Sequence, residues 1–192
     1  MQLDNLNTDF VGRNLFYHES IDSTQLEAWR LIESDVVPNG SLVIADIQTG
    51  GIGTHGRKWY TDENGNVAFS IVLYPNCNVD KLSNVTLDIA QIIVKAFDNL
   101  YGIRLNIKYP NDIVFNNKKL GGILTETKLC GENVKNLVIG IGINLNQKEF
   151  ANDISEIATS IKNEFEIITN RNEIISEICN LLEDEIMKFK ND

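Results

Sequence analysis

Two ammonium groups and a carboxylate crowd one short stretch: Lys108, Asp112 and Lys119, in Lys108-Tyr-Pro-Asn-Asp112 and Lys119-Leu-Gly-Gly-Ile-Leu124. That set suits a polyanionic ligand accompanied by a divalent cation. Gly121 and Gly122 would let the ligand come close to the backbone. A second set, Ser23-Thr24-Gln25, precedes an apolar-periodic run. Thr24 followed by Glu27 has the spacing of a capping box, and a helix N-terminus is also a donor-rich site for a polar ligand. Both readings stay open on these residues alone.

The third set is Gln48-Thr-Gly-Gly-Ile-Gly-Thr-His-Gly-Arg-Lys-Trp59. Gly51, Gly53 and Gly56 spell G-x-G-x-x-G, but a polar turn and an alternating strand from Val67 to Tyr74 follow, not the helix that a dinucleotide site requires. A Walker A loop fails too, because Arg57-Lys58 follows Gly56 where Lys-Ser/Thr is needed. The run reads instead as a glycine-rich flap whose backbone N–H groups wrap a phosphate, with charge from Arg57 and Lys58. Trp59 either covers an adenine or caps the core.

The elements that must position these groups follow from periodicity. Ile113-Val-Phe115 and Gly122-Ile-Leu124 flank Asn116-Asn117, a pair that tolerates the left-handed backbone of a tight hairpin turn. Asn14–His18, Ser41–Ala45 and Asn136–Asn144 read as further strands, the last with Gly140 and Gly142 clearing one face. Lys81–Tyr101 reads as a long helix stopped by Gly102. A short helix is expected within Ile154–Phe165. A final amphipathic helix carries Ile174, Ile178, Leu181, Leu182 and Phe189, with Asn170 and Glu173 at its start. Strands and helices together predict an α/β (α+β) fold, a mixed sheet backed by helices, in a single domain over residues 1–192.

A net charge of −10 argues against nonspecific duplex binding, which needs a basic surface. Cys77, Cys130 and Cys179 lie at no metal-like spacing and suggest reduced thiols. The first residues have neither a basic nor an apolar region of a signal peptide, and no apolar run reaches membrane-span length. A cytoplasmic protein without DNA or membrane partners is expected.

Lys108-Tyr-Pro-Asn-Asp112 resembles the K-W-P-N-D signature of biotin protein ligases, and Lys119-Leu-Gly-Gly-Ile-Leu124 the K-L-G/A-G-I-L that follows it there. Ile21-Asp-Ser-Thr-Gln25 is similar to the family's I-D-S-T-N/Q, and Gly140-Ile-Gly-Ile-Asn144 to its G-I/A-G-I-N. The four motifs run in the family's order from about Tyr17 to Asn146. The resemblance implies a fold related to class II aminoacyl-tRNA synthetases. It implies a biotin site at Ser23, Thr24, Gln25, Gln48, Gly121 and Gly122. It also implies a nucleotide site at Gly51, Gly53, Thr54, His55, Gly56, Arg57, Trp59, Asn111 and Asn144.

Lys119 and Lys108 would clamp phosphate and carboxylate, and Asp112 would serve metal or the acceptor amine. The implied reaction uses ATP and Mg²⁺, the metal held mainly by the phosphates. It makes biotinyl-5′-AMP and then biotinylates a lysine of a carboxylase's biotin carboxyl carrier domain. A homodimer is compatible with the family. No room is expected for the N-terminal DNA-binding domain or the C-terminal SH3-like barrel that many members carry.

The flap departs from the family's G-R-G-R-x-G-R-x-W: Ile52 and Thr54 stand where two arginines are usual. The rivals are a lipoate or octanoate ligase or transferase, and a non-catalytic biotin-binding module. Against the second stand both lysines, Asp112 and Asn144, since a pure biotin binder needs no nucleotide end.

Overall fold

In the computed structural model, which describes residues 3–63 and 65–190 with side chains through Ile186, one sheet forms the backbone of the molecule. Its strands are β1 (Leu15–Ile21), β2 (Ser41–Gln48), β3 (Asn66–Leu73), β4 (Cys77–Asn78), β5 (Asn106–Lys108), β6 (Asp112–Phe115), β7 (Lys118–Cys130) and β8 (Asn133–Asn144). The spatial order is β1-β2-β3-β8-β7-β6-β5, with β4 beside β8. Only β1 and β2 run parallel, joined through α1 (Thr24–Glu33). The remaining pairs are antiparallel. The expected mixed sheet with helices is therefore the fold observed.

Strand alternation divides the sheet into two faces. Val67, Phe69, Ile71 and Leu73 of β3, with Leu137, Ile139, Ile141 and Ile143 of β8, are buried in the main core. Facing them are α2 (Val85–Tyr101), with Ile89, Ile93 and Phe97, and α4 (Arg171–Lys190), with Ile174, Ile178 and Leu182. The other face meets α1 through a smaller cluster of Ala28, Val43, Val72 and Val138. Phe189 falls outside the described side chains.

On that second face the registers line up one residue from each strand except β4: His18, Ala45, Ala68, Gly142, Gly122, Asp112 and Lys108. The four central members have a methyl or nothing at Cβ. They leave a trough across the middle of the sheet, and charged groups mark one end. A side chain can lie flat there.

The Asn116-Asn117 turn forms as predicted, with φ of 47° and 64°, and Gly102 ends α2 at φ 67°. The short helix expected within Ile154–Phe165 is found as α3 (Ile161–Phe165), and two expectations change. Helix α2 begins at Val85, because residues Val79–Leu82 take a 3₁₀ turn. The Thr24–Glu27 capping box does not form: Ser23 is the N-cap, and the Thr24 N–H donates to Gln48 Oε1 at 2.8 Å. Glu27 instead accepts from Arg30. Among the described residues no helix is long and apolar enough to cross a membrane.

Candidate active site

The start of α1 brings Ser23, Thr24 and Gln25 onto the second face of the sheet, where β3 supplies Ser70. A chain of polar groups results. Thr24 Oγ1 donates to Gln48 Oε1 at 3.2 Å. Ser70 Oγ lies 3.0 Å from Thr24 Oγ1 and 3.1 Å from Gln25 Oε1. Gln25 Nε2 donates to Glu126 at 2.9 Å. Ser23 Oγ is buried and has no partner among the described residues, although its residue is only 1% exposed. A buried hydroxyl left unpaired costs about 1–3 kcal/mol, so this atom marks a place for a polar ligand group.

These residues close one end of a cleft of about 450 Å³ that runs along the trough to Asn111, Gly122 and Lys119. Gly140 and Gly142 are explained by what covers them. A Cβ at 140 would lie 2.6 Å from Gln25 Oε1, and one at 142 would lie 2.3 Å from the Trp59 ring. Two glycines in a strand suggest a ligand or another backbone close by; the nearest neighbours here are instead side chains of α1 and the flap. Trp59 lies over Gly142, and its buried Nε1 finds no partner among the described residues.

The flap is a small hairpin. Trp59 N–H donates to Gly51 O at 2.9 Å, and Gly53 N–H to Arg57 O at 2.7 Å. Gly51 has no room for a side chain, since a Cβ would meet Trp59 O at 2.4 Å. At the tip, His55 and Gly56 take left-handed backbone, with φ of 58° and 72°. Arg57 folds back to donate to Thr54 Oγ1 at 3.0 Å and Thr54 O at 3.2 Å. Asn111 Nδ2 reaches the same hydroxyl at 3.4 Å and Ile123 O at 3.2 Å, tying the flap to β7.

A second cleft of about 700 Å³ lies beyond Trp59, with Arg57, Lys58, Asn144, Gln147 and an apolar wall of Phe150, Ile154 and Ile157. Gly53, Thr54, Trp59 and Lys119 line both clefts. Lys119 is held by its backbone, which donates to Ile157 O at 2.7 Å and accepts from Thr159 N–H at 2.9 Å. Its Nζ pairs with Asp112 at 2.7 Å and stands 5.9 Å from the centre of the Trp59 ring. Asn144 is buried and donates to Thr159 O at 3.0 Å.

Ser23, Thr24, Gln25, Gln48, Gly53, Thr54, Arg57, Trp59, Asn111, Lys119, Gly122 and Asn144 line one or both clefts. Asp112 reaches them through Lys119. Lys108 is exposed beside Asp112 in the register, without an ion pair among the described residues. Gly121 points to the core side, opposite Ile143 and Ile113, and Gly51, His55 and Gly56 lie outside both linings.

Ser70, Glu126 and the wall from Phe150 to Ala158 were not singled out in the sequence. Ser70 alone had a signal, as the one hydroxyl inside Val67-Ala-Phe-Ser-Ile-Val-Leu73. Neither cleft lining includes a carboxylate, and no group of three or more His, Cys, Asp or Glu among the described residues forms a metal site. These residues do not themselves build a Mg²⁺ site.

The geometry defines a class. A family model for the biotin/lipoate A/B protein ligases matches residues 17–144, and the chain belongs to that family. Within it the likeness is to biotin protein ligases. The chain is 40% identical over 158 residues to the bifunctional ligase/repressor BirA of Bacillus subtilis (strain 168), covering 81% of this chain and 48% of that protein. It is 34% identical over 126 residues to the biotin–[acetyl-CoA-carboxylase] ligase of Paracoccus denitrificans, covering 65% and 51%. The biotin protein ligase of Aquifex aeolicus, solved in complex with biotin and ATP, superposes with a TM-score of 0.78 at 31% identity. That superposition covers 94% of this chain and 73% of the other. The chain spans about half the length of the curated relatives it matches.

Proposed function

We propose that this chain is a biotin protein ligase catalytic domain that makes biotinyl-5′-AMP from biotin and ATP and passes biotin to a lysine of a carboxyl carrier domain. The observation that carries this reading is Lys119, which lines both clefts where they meet. The first cleft would take biotin, its ureido ring at the Ser23–Gln25 end with Gln48, and its carboxylate running past Gly122 toward Lys119. The second cleft would take ATP, with Arg57, Asn144 and the apolar wall around the nucleotide.

A biotin carboxylate oxygen then attacks the α-phosphorus, the bond to the pyrophosphate bridging oxygen breaks, and pyrophosphate leaves. Lys119 offsets charge on both reactants, and Lys108, beside Asp112 in the sheet, would add positive charge from the solvent side. An acceptor amine next attacks the acyl carbon, AMP departs, and Asp112 is the nearby carboxylate for the amine proton. Positioning and charge neutralisation do most of the work in such steps. Mg²⁺ would arrive with the phosphates of ATP and offset their charge, its common mode. Trp59 and the flap exclude water from the mixed anhydride.

The unpaired Ser23 hydroxyl favours biotin over lipoate or octanoate, because neither of those brings a polar head to that end. The sparse free thiols support a cytoplasmic setting. Pyrophosphate release with ATP and biotin, absent with ATP and lipoate, tests the reading; the reverse preference would overturn it.

A further inference from the structure

Glu126 lies on β7, exposed, and lines neither cleft. One of its carboxylate oxygens nevertheless accepts from two donors of α1, Gln25 Nε2 at 2.9 Å and Trp29 Nε1 at 2.7 Å. An ionised carboxylate only accepts, so the Gln25 amide must turn its nitrogen toward Glu126 and its oxygen the other way. That oxygen occupies the space where a side chain at Gly140 would stand, within the first cleft.

Of the groups that touch this amide among the described residues, Glu126 is the one that can only accept. Ser70 and Thr24 are hydroxyls, which rotate to donate or accept as their neighbours require. The two ends of a carboxamide have nearly the same shape. Gln25 is 3% exposed, so solvent reaches its amide only through the cleft.

We propose that Glu126 is a positioning residue that fixes the polarity of the Gln25 amide and so makes this end of the cleft accept an N–H. The head group it selects is one with N–H donors, such as a cyclic urea. Trp29 fastens the carboxylate to α1, which keeps the acceptor in register with Gln25. This inference rests on the biotin reading of the first cleft.

The test is a double-mutant cycle read by calorimetric biotin binding, with desthiobiotin as a second urea probe. Glu126→Met keeps the length but removes the acceptor, and Glu126→Gln restores a single carbonyl oxygen able to take both donors. Expected is a loss of about tenfold in affinity for both ureas in Glu126→Met, the size of one hydrogen bond. Glu126→Gln should recover most of it. In a Gln25→Ala background, Glu126→Met should cause no further loss. Unchanged affinity in Glu126→Met, or an equal loss without Gln25, overturns the inference while leaving the ligase reading intact. An unsubstituted protein that binds neither urea overturns both.

Discussion

Lys119 Nζ and Asp112 Oδ1 stand 2.7 Å apart, and the lysine of this pair lines both clefts. The two residues reach each other across the β6–β7 hairpin, where a register shift between Ile113 and Val114 breaks the regular ladder. The ion pair keeps a half-buried ammonium aimed along the sheet before any ligand arrives. Both side chains keep some contact with solvent, at 31% and 19%, so the pair itself adds little to stability. Asp112→Asn should therefore leave thermal stability nearly unchanged. It should lower ATP–pyrophosphate exchange by no more than about tenfold, since Lys119 keeps its charge. Steady-state exchange and a melting curve check both halves.

Gly142→Ala should expel Trp59 from the trough. A Cβ there would lie 2.3–2.8 Å from three atoms of the indole, and the ring must move. Overpacking of this kind costs about 1–3 kcal/mol. Because the clashing group is a side chain on a flap, the sheet should survive. Expected are a change in intrinsic fluorescence from one of two tryptophans and a loss of biotin affinity, with the circular dichroism spectrum retained.

The flap holds itself rather than reaching out. Thr54 Oγ1 takes both Arg57 and Asn111, and Ile52 pairs with Lys58 across the small hairpin. Introducing Ile52→Arg with Thr54→Arg adds one cation at a position lining the first cleft and one at a position lining both, and it removes the hydroxyl that takes Arg57 Nη2. Each charged hydrogen bond gained contributes about 1.5–3 kcal/mol. The double variant should release biotinyl-5′-AMP at least tenfold more slowly in single-turnover experiments. Unchanged release would show that these two positions do not touch the adenylate.

Away from the clefts, Glu183 of α4 accepts the backbone N–H groups of Asp9, Phe10 and Val11 and pins the N-terminal segment. Burial pushes its carboxyl up, but those three donors and nearby Arg13 outweigh burial and hold it below the ordinary value of 4.5. The contribution is full above that value and is lost as pH falls through the lowered one. Glu183→Gln should cost about 2 kcal/mol at pH 7. The gap to the unsubstituted protein should narrow in acid below pH 4.5, as followed by urea denaturation across a pH series.

The parts legible in the sequence were those governed by local chemistry. Asn116-Asn117 announced its turn because few residues accept left-handed backbone, and Val67–Leu73 announced a strand through its alternation. Lys119 and Asp112 were legible because a short hairpin brings them together, whereas Lys108, expected with them, lines neither cleft, and Asn111 came only with the family resemblance. What stayed hidden depends on distant partners. The cap of α1 comes from Gln48, on the far side of a parallel crossover, so local spacing pointed to Glu27 instead. Helix α2 starts late because Asn78 caps a 3₁₀ turn, accepting from the Asp80 N–H at 3.0 Å, ahead of the apolar stripe. Glu126 sits in an ordinary run of exposed polar residues, and only the fold sets it against Gln25.

Biotin-dependent ATP–pyrophosphate exchange in the unsubstituted protein and in Lys119→Ala tests the central claim most directly. One lysine serving both clefts predicts clear exchange in the first and none in the second, with biotin still bound. Near-normal exchange without the Lys119 ammonium would contradict the account.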